Sequence, residues 1–275
     1  MPVTELRWAV APDGERLAYE VRAEEPNAPA LLALHGVLVG SSNWVHQVLR
    51  LPQFHWIIPH IRGHGQSPPP IPRQTIEEAA LDALAVLDAE GVERAVVLGN
   101  SLGATVGLAL ALLRPERVRA MVLVEPSLPA LVEHEGKRRL AETAAQTRRL
   151  LAEDRIDEAL ALFLVPRLGE DWESKAGRRR LDEWRRNLFS TPAWIDAVLA
   201  FDPGPVPLAV LDQPTLLVYG AETQPFYRAM TVALADLLPA AELVEVPGAG
   251  HGVPADNPDA FNELLLRFLA RLGIG

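Results

Sequence analysis

Gly99-Asn100-Ser101-Leu102-Gly103 constrains this chain more than any other segment. It follows the continuous apolar run Ala95–Leu98 (AVVL) and opens the helix-period run Leu102–Leu113. A G-x-S-x-G pattern between a strand and a helix is a sharp turn that strains the serine backbone and lifts its hydroxyl clear of a sheet. Side chains two positions either side of that serine would clash, so both flanks are glycine. The helix N-terminus behind the turn favours developing negative charge. Ser101 is therefore a candidate nucleophile, set on a strand–turn–helix unit.

The rest of the chain alternates in the same way. Leu6–Val10 and Arg16–Val21 flank Asp13-Gly14 and read as a hairpin. Ala30–Leu34, Trp56–Ile58, Ala95–Leu98, Ala120–Val124, Thr215–Tyr219 and Leu243–Val246 read as further strands, several of them continuous apolar runs of the kind buried parallel strands need. Helical spacing occurs over Ile76–Glu90, Leu102–Leu113, Pro225–Leu238 and Pro258–Leu272. The pattern predicts an α/β fold with a doubly wound, mostly parallel, eight-stranded sheet. Between Ser127 and Val210 no convincing strand occurs. Amphipathic stretches at Leu131–Glu153, Ile156–Leu164, Trp172–Phe189 and Pro192–Phe201 instead predict a helical cap inserted after the sixth strand, with residues 1–126 and 211–275 forming the core and 127–210 the cap.

Composition excludes several classes. The chain has 275 residues, 26 basic and 36 acidic, for a formal charge of −10, which argues against a general nucleic-acid binder. There is no cysteine, so disulfides, thiolate metal sites and a cysteine nucleophile are all ruled out. No metal-ligand spacing, P-loop or dinucleotide fingerprint occurs, and no cofactor is expected. Charges at Glu5, Arg7, Asp13, Glu15 and Arg16 leave no signal-peptide core, and no apolar stretch is long enough to span a membrane. The expectation is a soluble cytoplasmic protein, with no nucleic-acid or membrane partner and an oligomeric state the sequence does not fix.

A second segment bears on chemistry. His35-Gly36-Val37 follows the strand ALLAL, where a loop could present a backbone donor to the elbow. The N–H groups of Val37 and Leu102 are the candidate oxyanion donors, and His35 is expected to order the loop. These motifs resemble the α/β-hydrolase superfamily over nearly the whole chain. Arg62-Gly63-His64-Gly65-Gln66-Ser67 looks like that family's R-G-x-G-x-S turn, and Gly248-Ala249-Gly250-His251 with Asn257-Pro258 and Phe261 looks like its C-terminal histidine loop and closing helix. The resemblance implies a serine-nucleophile branch with a cap. It also makes His251 the candidate base, since it alone among the histidines follows both candidate acids in the order Ser, acid, His.

The acid departs from the family pattern. Most relatives carry Asp three residues after the glycine ending the seventh strand, and here Thr223 stands three residues after Gly220. Two carboxylates are candidates: Glu125 at the end of AMVLV, and Glu222 beside the vacant position. A carboxylate at a buried strand end needs a partner. His251 would supply one to Glu125, which favours Glu125, with Glu222 or another group still open. His60, and the basic clusters Lys137–Arg139 and Arg178–Arg180, read as structural or solvated.

The resemblance implies a cofactor-free serine hydrolase that cleaves small, largely apolar carboxylic esters through an acyl-enzyme, with Ser101, His251 and Glu125 as triad. Its partner would be a small-molecule acyl substrate. An aminopeptidase, lactonase, C–C bond hydrolase or perhydrolase of the same fold stays open, as does a non-catalytic member that binds a small molecule.

Overall fold

The computed structural model describes residues 4–25, 27–132 and 134–275, with backbone only at 134 and 135. Eight strands form one sheet: β1 (Glu5–Val10), β2 (Arg16–Arg22), β3 (Ala30–Leu34), β4 (His55–Pro59), β5 (Ala95–Asn100), β6 (Val118–Val124), β7 (Thr215–Gly220) and β8 (Ala241–Val246). Their spatial order is β1-β2-β4-β3-β5-β6-β7-β8. β1 and β2 pair antiparallel, β2 pairs antiparallel with β4, and every pairing from β4 to β8 is parallel. The predicted doubly wound sheet is the one found.

Alternation along the strands builds two cores. Leu32, Leu34, Val97, Leu123 and Leu217 face a layer containing α2 (Ile76–Ala89), α3 (Leu102–Leu113) and α10 (Pro225–Leu237). Their neighbours Leu31, Ala33, Val96, Leu98, Val122 and Leu216 face α1 (Val45–Arg50) and α12 (Pro258–Arg271), through Val48, Phe261, Leu265 and Phe268. Burial on both faces explains why the strands read as continuous apolar runs rather than alternating ones. α2 starts on a capping box, in which Thr75 Oγ1 accepts from the Glu78 N–H and Glu78 Oε2 from the Thr75 N–H.

Strand order fixes where a ligand could sit. From β3 the chain passes to β4 on one side and later crosses to β5 on the other. The carboxyl ends of β3 and β5 therefore diverge into loops leaving opposite ways, the switch point at which open α/β sheets bind ligands. The loop after Leu34 and the turn after Asn100 meet there, since Leu34 pairs with Gly99.

Between β6 and β7 the described residues contain helices and no strand: α4 (His134–Ala152), α5 (Ile156–Leu168), α6 (Trp172–Lys175), α7 (Arg178–Asn187), α8 (Thr191–Ala200) and α9 (Pro205–Ala209). The stretch predicted as Trp172–Phe189 breaks at Ala176-Gly177, because Ala176 is extended and Gly177 starts α7. The predicted Leu131–Glu153 stretch crosses Glu133, which lies outside the described residues. α1, α9 and the four-residue α11 (Val253–Asp256) were not anticipated, being too short to show a period. The insertion has its own apolar cluster, in which Leu160, Leu164, Trp172, Trp184 and Leu188 pack around Leu38 of the core. No helix among the described residues is long and apolar enough to cross a membrane.

Candidate active site

Ser101 sits between β5 and α3 with φ 54° and ψ −115°, a conformation an L-residue holds only under constraint. The flanking glycines are required by close approach. A Cβ on Gly99 would lie 2.4 Å from Ala104 Cα, and one on Gly103 would lie 2.2 Å from the Leu34 carbonyl oxygen. The Ser101 N–H donates to the Val124 carbonyl at 2.9 Å, locking the turn onto β6. Its Oγ lies 3.3 Å from Ser127 Oγ, and the side chain is only 7% exposed, so the site is covered.

The His35-Gly36-Val37 loop packs directly on the elbow: a Cβ on Gly36 would stand 3.4 Å from Ser101 Cβ. His35 is buried and accepts the Ile61 N–H on Nε2 at 3.1 Å, so Nδ1 carries the proton and donates to the Gly36 carbonyl at 2.8 Å. Burial, reinforced by the neighbouring His64, pushes its pKa well below the ordinary value. His35 is thus a neutral strut for the loop. Among the described residues no loop, turn or side-chain acceptor takes the N–H of Val37 or of Leu102. Two unspent backbone donors therefore flank the serine, one in this loop and one in the first turn of α3.

Sequence reasoning missed what holds that loop in place. Leu38 adopts φ 68° although it is not glycine. Its carbonyl accepts from Asn187 Nδ2 at 2.9 Å, and Asn187 Oδ1 accepts the Gly65 N–H at 3.4 Å. Trp194 Nε1 donates to the Arg62 carbonyl at 2.9 Å. The helical insertion thus grips both the oxyanion-loop candidate and the Arg62–Ser67 turn. Nothing local in the sequence around Asn187 distinguishes it from any other polar residue at a helix end.

At the end of β6, Glu125 has φ 45° and a side chain with no solvent exposure. Its carboxylate receives three donors. Gly220 N–H reaches Oε1 at 2.9 Å, while Thr223 Oγ1 and His251 Nδ1 reach Oε2 at 2.7 Å and 2.5 Å. A buried carboxylate so satisfied costs far less than a bare one. It accepts only, so Nδ1 carries the imidazole proton and Nε2 keeps a free lone pair. Glu222 is exposed, and its side chain makes no hydrogen bond or ion pair among the described residues. The structure brings Glu125, and not Glu222, to His251.

His251 is held by its neighbours as well. Asn100 Nδ2, on the residue before Ser101, donates to the His251 carbonyl at 3.3 Å, tying the histidine loop to the elbow. Tyr227 of α10 stacks on the imidazole with ring centroids 3.8 Å apart. Burial lowers the His251 pKa below the ordinary value, with the Glu125 carboxylate pulling the other way. Elsewhere, His60 braces the Arg62–Ser67 turn, with Nδ1 accepting the Gln66 N–H and Nε2 3.2 Å from Glu20. Among the described residues no group of three or more His, Asp or Glu side chains could hold a metal.

Known proteins agree with this architecture. The family model described as alpha/beta hydrolase fold matches residues 29–258. The chain belongs to that family. Among alpha/beta hydrolases it is 30% identical to a Pseudomonas savastanoi pv. phaseolicola protein named "Putative carbamate hydrolase RutD", over 90% of this chain and 96% of the relative. It is 29% identical to a 2-hydroxymuconate semialdehyde hydrolase of Pseudomonas sp. (strain CF600), over 87% of this chain and 86% of that one. A solved hydrolase from Pseudomonas aeruginosa PA01 superposes with a TM-score of 0.82 at 27% identity, covering 96% of this chain and 98% of its own.

Proposed function

We propose that this alpha/beta hydrolase is a serine hydrolase that cleaves small carboxylic esters through a Ser101–His251–Glu125 triad. Ser101 Oγ attacks the acyl carbonyl while His251 Nε2 takes its proton. The tetrahedral oxyanion is bound by the N–H groups of Val37 and Leu102, at the positive end of α3. His251 then returns the proton to the leaving alcohol, and the C–O bond breaks to give an acyl-Ser101 ester. Water, deprotonated by the same imidazole, attacks that ester and releases acid and free serine. Glu125 holds the productive tautomer and stabilises the imidazolium. The helices between β6 and β7 act as a cap that closes the acyl site to bulk water.

The single observation carrying this reading is the 2.5 Å contact between the buried Glu125 carboxylate and His251 Nδ1, beside a serine on a strained elbow. A carboxylate–imidazole pair with the outer nitrogen left free is the base that a weak serine nucleophile needs. Esters are preferred to amides by analogy with the commonest activity on this fold. The test is turnover of short-chain nitrophenyl esters together with fluorophosphonate labelling. Wild type should turn over and label, while Ser101→Ala should do neither and His251→Ala should label only marginally. Equal labelling of wild type and Ser101→Ala would sink the nucleophile assignment.

A further inference from the structure

Two donors beside His251 take no part in the mechanism above. Arg167 lies in the last turn of α5. Its Nη2 stands 3.2 Å from where a Cβ on Gly252 would be, so the guanidinium covers the residue directly after His251. Several other basic residues of the insertion are paired, among them Arg155 with Glu158, Arg185 with Asp157 and Lys175 with Asp171. Arg167 makes no hydrogen bond and no ion pair among the described residues. Asp256 also borders Gly252, with Oδ1 3.4 Å from the same point; its Oδ2 accepts the Gly250 N–H at 3.0 Å, and neither oxygen makes an ion pair with Arg167 among the described residues. The second donor is the Tyr227 hydroxyl. Its ring is fixed by stacking on the imidazole, yet the hydroxyl has no hydrogen-bond partner among the described residues.

An unpaired cation here works against the chemistry when the site is empty. His251 must become an imidazolium; burial disfavours that form and the charge of Arg167 disfavours it further, against the support of the Glu125 carboxylate and, more weakly, of Asp256. A bound anion would cancel that opposition and would occupy both free donors. On a chain of formal charge −10, anions are repelled at long range, so a local cation at the site is what would make one welcome. His251 passes its proton to the leaving group, so a subsite beside it faces the leaving-group side of the substrate.

We propose that Arg167 and Tyr227 form an anion subsite on the leaving-group side, and that the preferred substrates are acyl esters of carboxylate-bearing alcohols or phenols. This rests on the serine-hydrolase reading above. The carboxylate accepts from the guanidinium fork and from the phenol hydroxyl, a charge-assisted pairing.

The test compares 4-acetoxybenzoate with its neutral isostere 4-acetoxybenzamide at low ionic strength and on the pH plateau. The benzoate-to-benzamide ratio of kcat/KM should fall about tenfold in Arg167→Gln, invert in Arg167→Glu, and fall less in Tyr227→Phe, which keeps the stacked ring. Added salt should lower the ratio in wild type but not in Arg167→Gln. An unchanged ratio in Arg167→Gln overturns the subsite. If neither ester is cleaved, the ester-hydrolase reading fails, and the subsite is judged on binding alone. Calorimetry of 4-hydroxybenzoate on Ser101→Ala should then show binding that Ser101→Ala/Arg167→Gln has lost. Equal binding by the two, or none by either, overturns the proposal.

Discussion

The Thr223 hydroxyl donates to Glu125 Oε2 at 2.7 Å, on the same oxygen that receives His251 Nδ1. Thr223 occupies the position where the family pattern has its acid, and it donates to a carboxylate at the end of the neighbouring strand. β6 and β7 run parallel and in register from Met121/Thr215 to Val124/Val218, so the Thr223 hydroxyl beyond β7 reaches the Glu125 carboxylate at the end of β6. Thr223→Val removes one charge-assisted donor from a buried carboxylate and should cost about tenfold in kcat/KM, with Thr223→Ser close to wild type. Steady-state kinetics on a nitrophenyl ester decides this, and wild-type rates in the valine variant would show the donor to be idle.

Glu125→Gln should lower turnover by about 10⁴, the scale seen when a triad carboxylate becomes an amide, because the wrong imidazole tautomer is then held. Circular dichroism should stay that of the wild type. Glu222→Gln should stay within about twofold, since that side chain is exposed and touches nothing at the site. The reverse ranking of the two variants would transfer the acid role to Glu222.

Asn187 lies on the insertion yet bonds the Leu38 carbonyl beside Val37. Asn187→Asp keeps an acceptor for the Gly65 N–H but loses the donor to Leu38, freeing a residue held at positive φ. It should lower kcat by roughly 10- to 100-fold, less than the roughly 10²- to 10³-fold cost of losing an oxyanion donor outright, with KM moving much less. Proportional loss in a rise of KM alone would place Asn187 in substrate binding instead.

The pH profile follows from His251. The base must be neutral, and burial holds its pKa below 6.5. kcat/KM should therefore rise with pH on a limb centred below 6.5 and be flat from neutral pH upward. A limb centred above 7 would contradict the burial effect.

Stability should fall in acid for a related reason. His64 is fully enclosed, and burial lowers its pKa to about 4, with the Arg62 and Ile61 carbonyls opposing; His35 is lowered too. The unfolded chain binds protons that the native chain refuses between pH 6.5 and 4. The stability contributed by neutral His64 is thus whole above pH 6.5 and drains away as pH falls toward 4, by about 3 kcal/mol. Urea midpoints at pH 7.5 and 4.5 measure this loss, and equal midpoints would refute it.

The parts of the fold written in local signals were legible. AVVL and AMVLV read as buried strands because they are sealed on both faces, and the elbow was legible because its two glycines and its serine fall within five consecutive residues, although the clash Gly103 avoids is with distant Leu34. The pairing of Glu125 with His251 spans 126 residues, and the vacant acid position at Thr223 together with the need of a strand-end carboxylate for a partner pointed to it. Thr223 itself was read as unfit to be the acid, and its hydroxyl is instead a donor to the Glu125 carboxylate. Asn187, Tyr227 and Arg167 left no trace. Each lies on a helix whose period reports only its buried face, while what it does depends on a loop far along the chain.

The clasp between Asn187 and Leu38 limits how freely such an enzyme can be re-engineered. Exchanging the segment between β6 and β7 for that of a relative is an obvious route to new selectivity, on the assumption that lids and catalytic platforms are separable parts. Here they are not. The apolar cluster of the insertion closes around Leu38, and the amide of Asn187 fixes the turn that presents Val37. A transplanted lid would have to bring its own amide to that carbonyl, or the chimera would recognise a new compound and lack the geometry to cleave it.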